Sequence, residues 1–474
     1  MGEEMETIYK ELLNAKDNRE KIYIYSKCLS VEKRLDWLLE LEQSILNSCD
    51  LPWDTLYFLF GQIGRMIFMN PALETEESVF RKWRILEKSL EGCKRNLSHQ
   101  LESIPISQRN QELVIMVIEQ FLGSEHGPTK TVLDRSYVVK HCLGKKVLII
   151  NTAELMSLEG YVPFEGVTCA SYIPELLATE SCQWQGESFS YFQCEQNMPN
   201  LPVLEMLLQT IRQLKPGMVI CVGGGSLFAG LVNEMIPVLT VGTTQSGLYT
   251  TMADYQVVNS ALNPMNRAIV ERMKRKKEHV IEGTFTFSLK TQKEYVTREM
   301  LGLPKDAFLL ALVGGRLNEE MSEQFLQMLD EVLSEQVQAV FIGIDELKNS
   351  KKYQQLQRYS YCLGFCSDVL SRLEVCDLYV NPIRKGGATS SVEALYKKKP
   401  IITTGFGDVG GVAEDIFVCK DLEDMKNQIL HYSQDKEFYK AQSVLAEKQA
   451  EKYMDSTGAF LSILEEYQRR MNAQ

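Results

Sequence analysis

Apolar positions recur at spacings of three and four through the first hundred residues, in VEKRLDWLLELEQSIL from Val31, WDTLYFLFGQIGRMIF from Trp53 and SVFRKWRILEKSLEGCKRNL from Ser78. That is the period of helices that bury one face. No strand pattern interrupts them and no fixed-period repeat relates them, so residues 1–108 are expected to form an all-helical module rather than a solenoid.

The pattern changes near residue 110. ELVIMVIEQ from Glu112 is an apolar run of strand length, followed by a polar loop, a helix-like TVLDRSYVVKHCL from Thr131 and a second apolar run, KKVLIIN from Lys145. GMVICVGGGSLFAGLV from Gly217 and PVLTVGTT from Pro237 repeat the succession of strand, glycine turn, helix and strand. Runs apolar on both faces that alternate with helices predict a parallel sheet, here a Rossmann-like domain over 109–280. The stretch RAIVERMKRKKEHVIEG from Arg267 is basic between Arg272 and Lys277 and is expected to be a linker helix with a solvated face. A second Rossmann-like domain, 281–474, follows from FLLALVGG at Phe308, a helix from about Glu320, AVFIGI at Ala339, DLYVNP at Asp377 and PIITTG at Pro400, with one or two terminal helices after Asp435. The expected fold class is α/β, two Rossmann-like domains preceded by helices. A chain of 474 residues is too long for a single core.

Composition narrows the partners. A charged fraction of 24% with a net charge of −12 gives no general attraction to nucleic acid or anionic lipid, so any phosphate must be held locally. Twelve cysteines are scattered without a CxxC pair, and the closest two, Cys362 and Cys366, have no histidines beside them; reduced thiols and no metal site are expected. The N-terminus is too polar for a signal peptide, Glu6 rules out a myristoylation motif, and no apolar run approaches the roughly 18 residues of a membrane span. A cytoplasmic protein is expected.

Chemistry concentrates in NPIRKGGATSSVEALYKKKPIITTG from Asn381. A strand end feeds a turn of small residues, Gly386, Gly387, Ala388, Thr389, Ser390 and Ser391, that opens a helix. With so little side-chain bulk, main-chain amides at the helix start can approach phosphate oxygens directly, and Glu393 is placed to accept hydrogen bonds from ribose hydroxyls. An ordinary turn capped by Ser390 or Ser391 fits the same residues.

Together with LGFCSDVLSRLEVCDLYVNP from Leu363, this segment resembles the donor half of GT-B glycosyltransferases, over most of the second domain. The resemblance implies that Gly364, Phe365 and Cys366 face a nucleotide base, Gly387, Ala388, Thr389 and Ser390 a diphosphate, and Glu393 the ribose. ALVGGRLNEE from Ala311 is similar to the family's Gly-Arg-Leu signature, which implies that Arg316 stands at the interdomain cleft and neutralises phosphate. Two departures stand out: Met321 replaces the usual lysine, and Lys385 replaces the first glutamate of the Glu-x7-Glu pair, supplying a cation and weakening any inference of a retaining mechanism. TTGFGDVGGVAED from Thr403 is similar to the segment that approaches the transferred sugar, through Asp408, Gly410 and Gly411. EHGPTK from Glu125 is similar to the His-Pro-Thr loop of the O-GlcNAc transferase group, whose members are inverting and carry a helical extension; this makes His126 a general base or acceptor-positioning group, beside the plainer reading of a loop residue capping Thr129.

The expected function is transfer of a sugar from a nucleotide-diphosphate sugar, UDP-linked, to an acceptor hydroxyl, with no metal and no other cofactor. A nucleotide-sugar epimerase and a non-catalytic transferase-like subunit are the alternatives. The expected partners are the donor and, through the helical module, a protein acceptor or partner subunit; dimerisation or simple core extension are equally open uses of that module.

Overall fold

The computed structural model describes residues 7–472 apart from 9, 13, 124–125, 155–163, 244–247, 259–263, 275, 287, 290 and 349. The chain divides into two compact units, one formed by 1–243, 247–283 and 460–474, the other by 244–246 and 284–459.

In the first unit the early periodicity becomes the helices Asn18–Val31, Leu35–Asn47, Trp53–Met69 and Glu76–Asn96. Their starts are set locally. Asp17 accepts from the Glu20 amide, and Thr75 and Ser78 cap one another reciprocally ahead of Glu76 and Glu77, where acids suit the helix dipole. Leu38, Leu41, Leu59, Ile63 and Leu86 are fully buried. They share one core with Ile115 and Val117 of the sheet, so the helices form a layer on the sheet rather than a free appendage.

Among the described residues that sheet has eight strands: β1 (Asn110–Ile118), β2 (Lys146–Asn151), β3 (Ser181–Trp184), β4 (Glu187–Gln193), β5 (Pro216–Val222), β6 (Val238–Val241), β7 (Tyr255–Val258) and β8 (Val280–Glu282), in the order β3-β4-β2-β1-β5-β6-β7-β8. Among the described residues only β3 runs antiparallel to its neighbour. Ile115 pairs with Leu148 on one side and with Val219 on the other. Alternate residues of β1 serve opposite faces: Ile115 and Val117 meet the helical layer, while Val114, Met116 and Ile118 meet Val132, Leu133 and the terminal helix Ser456–Met471 through Phe460, Ile463 and Leu464.

Two segments depart from expectation. The terminal helix, expected with the second domain, packs on the first sheet, where the Tyr467 hydroxyl donates to the Pro237 carbonyl at 2.9 Å. The basic stretch is anchored rather than solvated at its start. In helix Pro264–Arg272, Ile269 and, just beyond it, Met273 pack on Val79 and Trp83; Arg272 pairs with Glu76 at 2.9 Å and Glu77 at 2.8 Å and lies 3.9 Å over the Phe80 ring.

The second unit holds a fully parallel sheet of β9 (Phe308–Val313), β10 (Val337–Ile342), β11 (Ser360–Cys362), β12 (Leu378–Val380), β13 (Ile401–Thr404) and β14 (Val418–Cys419), in the order β11-β10-β9-β12-β13-β14. Ala311 pairs with Val340 and with Tyr379. Helices cover both faces, one core gathering Phe325, Leu329 and Ile429, the other Val392, Leu395 and Tyr453. Asp421 caps helix Leu422–Gln434 by accepting from the Asp424 amide. Among the described residues no helix is long and apolar enough to cross a membrane.

Candidate functional site

β9 is the first strand of the second sheet, and the order runs from it to β10 on one side and β12 on the other. Doubly wound sheets take ligands at such a reversal, beyond the strands' carboxyl ends. Arg384 fills the base of this reversal, 5% exposed. Its Nη2 donates to the Val313 carbonyl at 2.7 Å and lies 3.3 Å from the Tyr379 hydroxyl, its Nε donates to Asn381 Oδ1 at 2.8 Å, and its Nη1 donates to Glu320 Oε2 at 2.9 Å. Burial works against its charge, but Tyr379 and the Glu320 carboxylate more than offset this and hold the guanidinium above its ordinary pKa. Sequence reading passed Arg384 over. A buried arginine leaves no periodic signal, and its neighbours in the chain carry the motif.

Arg316 caps the short helix Leu317–Glu320. Its guanidinium meets the other oxygen of Glu320, Oε1, at 3.0 Å, and its side chain is 57% exposed while that of Glu320 is 6% exposed. A Cβ added to Gly386 would lie 3.8 Å from Arg316 Nη2, so the arginine turn and the small-residue turn are neighbours. Met321 is buried in the core behind them.

Gly387, not Ser390 or Ser391, is the cap of helix Ala388–Tyr396. Its φ of +108° is left-handed, and a Cβ there would come within 2.8 Å of Arg384 Nη2 and 3.0 Å of Val409 Cγ2, so only glycine fits. Ser391 Oγ turns back to the Ala388 carbonyl at 2.8 Å; Ser390 Oγ donates to the Gly387 carbonyl at 3.0 Å and sits 2.9 Å from Tyr379 Oη. Ala388 is buried, whereas Lys385, Gly386, Thr389 and Glu393 are half-buried. Thr389 and Glu393, four residues apart, share one helix face. The structure therefore brings Arg316, Gly386, Gly387 and the helix start together.

Gly364, Phe365 and Cys366 follow β11 at the same edge. Gly364 exchanges main-chain hydrogen bonds with Gly343 and Ile344 at 2.8 and 3.0 Å, Phe365 is 77% exposed, and burial pushes the Cys366 thiol up. The stretch after β13 is tied to the small-residue turn, since the Asp408 amide donates to the Lys385 carbonyl at 2.8 Å. Asp408 and Gly410 are buried and Gly411 is half-buried, its carbonyl accepting from Tyr453 Oη at 3.1 Å. Between Gly405 and Gly411 it is Gly405 that is exposed.

In the first unit, His126 caps helix Gly127–Tyr137 at the end of the loop after β1. Its Nδ1 lies 3.1 Å from Thr129 Oγ1, which accepts from the Leu122 amide at 2.9 Å. Glu125 lies outside the described residues. Two buried carboxyls at the same sheet edge had not been anticipated, because glutamates are seldom interior. Glu154 accepts from Thr152 Oγ1, Ser226 Oγ and the Phe228 amide at 2.7, 2.7 and 2.8 Å. Glu119, 6% exposed, has an Oε1 with no hydrogen-bond partner among the described residues; burial, and then the Glu154 charge, push its pKa well up. The VGGGS turn is closed over by Tyr249 and Phe60, which border Gly224 and Gly225. Among the described residues no three His, Cys, Asp or Glu side chains are grouped to hold a metal ion.

Residues 309–435 match the model of the family described as glycosyl transferases group 1. No curated protein matches the chain. Among solved structures, a glycosyltransferase from Rickettsia africae is 12% identical, with 77% of this chain and all of that one covered at a TM-score of 0.55. A Thermobaculum terrenum O-GlcNAc transferase is 13% identical, with 98% of this chain and 92% of that one covered at a TM-score of 0.54. Anabaena HepE in complex with UDP and glucose is 15% identical, with 76% and 100% covered at a TM-score of 0.52. At such identities the likeness is one of fold: the chain is built on the GT-B plan, and the residues that match the group 1 glycosyl transferase model lie in its second unit.

Proposed function

We propose that this protein is a glycosyltransferase that moves a sugar from a UDP-sugar to an acceptor hydroxyl. The observation that carries the reading is the juxtaposition, at the reversal of the second sheet, of the bare Gly386–Gly387 turn, a helix start and the Arg316 guanidinium. Amides with no side chain over them, a helix dipole and a cation are what a pyrophosphate needs in a chain of net charge −12. The fold it shares with a HepE structure holding UDP supports the choice of nucleotide.

On this reading Gly387, Ala388, Thr389 and Ser390 hold the diphosphate, Arg316 and Lys385 stabilise the charge that develops on it as the glycosidic bond breaks, Glu393 takes the ribose hydroxyls, and Gly364, Phe365 and Cys366 border the base. Asp408 shapes the turn beside the sugar through the Lys385 carbonyl, Gly410 packs against the Gly405 backbone, and Gly411 continues the turn. His126 takes the acceptor's proton. The chemistry invoked calls on no metal, the reaction takes place in the cytoplasm, and the acceptor hydroxyl belongs to a protein docked on the outer, polar side of the helical layer.

Calorimetric titration with UDP tests this. Arg316→Ala and Glu393→Ala should each weaken binding by about tenfold or more with the fold retained, as loss of a charged hydrogen bond predicts. Normal UDP binding by both variants would place the nucleotide elsewhere.

A further inference from the structure

Glu320 is an odd residue to find beside an anion site. Its side chain is 6% exposed, and each carboxylate oxygen is committed to a different arginine: Oε1 to Arg316 at 3.0 Å and Oε2 to Arg384 at 2.9 Å. A carboxylate here opposes any phosphate by simple Coulomb repulsion. A buried ion pair is also a poor source of stability, since well-packed apolar residues commonly do as well.

What the pair supplies is geometry. Arg384 reaches the end of β9 through the Val313 carbonyl, the end of β12 through Tyr379 and Asn381, and the arginine turn through Glu320. Its Nη2 also borders Gly387, and its carbonyl borders Gly407. One guanidinium thus sets the floor on which the small-residue turn rests. Arg316, by contrast, is a long and 57% exposed side chain, and would be free to sample many rotamers if nothing held it.

Resting on the donor reading above, we propose that Glu320 and Arg384 are positioning residues for the diphosphate. Arg384 fixes Glu320, and Glu320 fixes Arg316 over Gly386 before the nucleotide arrives. Two guanidiniums sharing one carboxylate leave a net positive charge for the ligand, and the ordering of Arg316 is complete before binding rather than a cost of it.

The test uses the full chain and two probes, UDP and uridine, titrated calorimetrically into wild type, Arg316→Ala, Glu320→Gln and Arg384→Lys, with a thermal melt of each. Glu320→Gln keeps the shape and removes the charge that grips both arginines. It should weaken UDP by about tenfold while leaving uridine binding and the melt unchanged, and Arg384→Lys, which cannot make the same fork of bonds, should do likewise. If Glu320→Gln binds UDP as tightly as wild type or more tightly, the carboxylate is only an opposing charge and the inference fails. Equal loss of UDP and uridine with a lowered melt also overturns it, since the pair is then merely structural. An Arg316→Ala variant that binds UDP normally overturns the inference too, since there is then no arginine contact to position; a wild-type chain that ignores UDP overturns the donor reading instead.

Discussion

The amide of Asp408 donates to the carbonyl of Lys385 at 2.8 Å, joining two turns that lie more than twenty residues apart in the chain. The neighbouring Gly407 makes that approach possible. At φ +73° it is left-handed, and a Cβ there would overlap the Arg384 carbonyl oxygen. Gly407→Ala should therefore cost about 1–3 kcal/mol and loosen UDP binding as the small-residue turn shifts. A lowered urea midpoint with weaker UDP binding is expected; an unchanged midpoint would show that the two turns move freely past each other.

Glu119 gives a pH dependence of definite sign. Its native pKa is raised well above the ordinary value. Between about 4.3, where the unfolded carboxyl titrates, and that raised value, the folded chain keeps a proton the unfolded chain has released. Its contribution to stability is whole below this window and is lost as pH rises through it. Glu119→Gln, whose amide has no proton to release, should gain stability relative to wild type as pH rises. Urea midpoints for both proteins across the window check this, and a difference independent of pH would mean that the native carboxyl is ionised.

His126→Ala should lower turnover by about a hundredfold and leave the UDP dissociation constant where it was. Steady-state kinetics beside calorimetry separate the two. If turnover is unaffected, the residue's part is structural, of the kind its 3.1 Å contact with Thr129 makes.

Arg272 is expected to hold its helix against residues 76–80. Arg272→Ala removes two ion pairs and the stack on Phe80, and should cost about 1–2 kcal/mol. Hydrogen exchange should rise across Pro264–Arg272 and remain as it was in β9. Arg272→Lys restores charge without the forked geometry and should recover only part of the loss.

The strands of both sheets that were legible in the sequence are the interior ones. ELVIMVIEQ and FLLALVGG are apolar on both faces because each pairs on both sides and is covered by helices, and they became β1 and β9. The edge hairpin β3–β4 was not legible. Its burial alternates along Glu187–Gln193, yet Phe192 stands in the outward register at 39% exposed and blurs the polar–apolar rhythm. β11 and β14, with three and two residues, are too short to carry a period. In the site, the small-residue turn could be read because glycine and alanine mark where backbone must be bare. Glu320 and Arg384 could not, because their meaning lies in a contact across 64 residues of chain.

The helix Ser456–Met471 also bears on how the molecule is made. Phe460, Ile463, Leu464 and Tyr467 complete a core whose other buried members lie between Val114 and Ile281. During synthesis, then, the earlier sheet must wait with one flank uncovered while almost two hundred further residues emerge and fold by themselves. Ribosome-stalled chains that stop short of Ser456–Met471 should expose the flank to chaperones, and chains in which that helix has emerged should cover it.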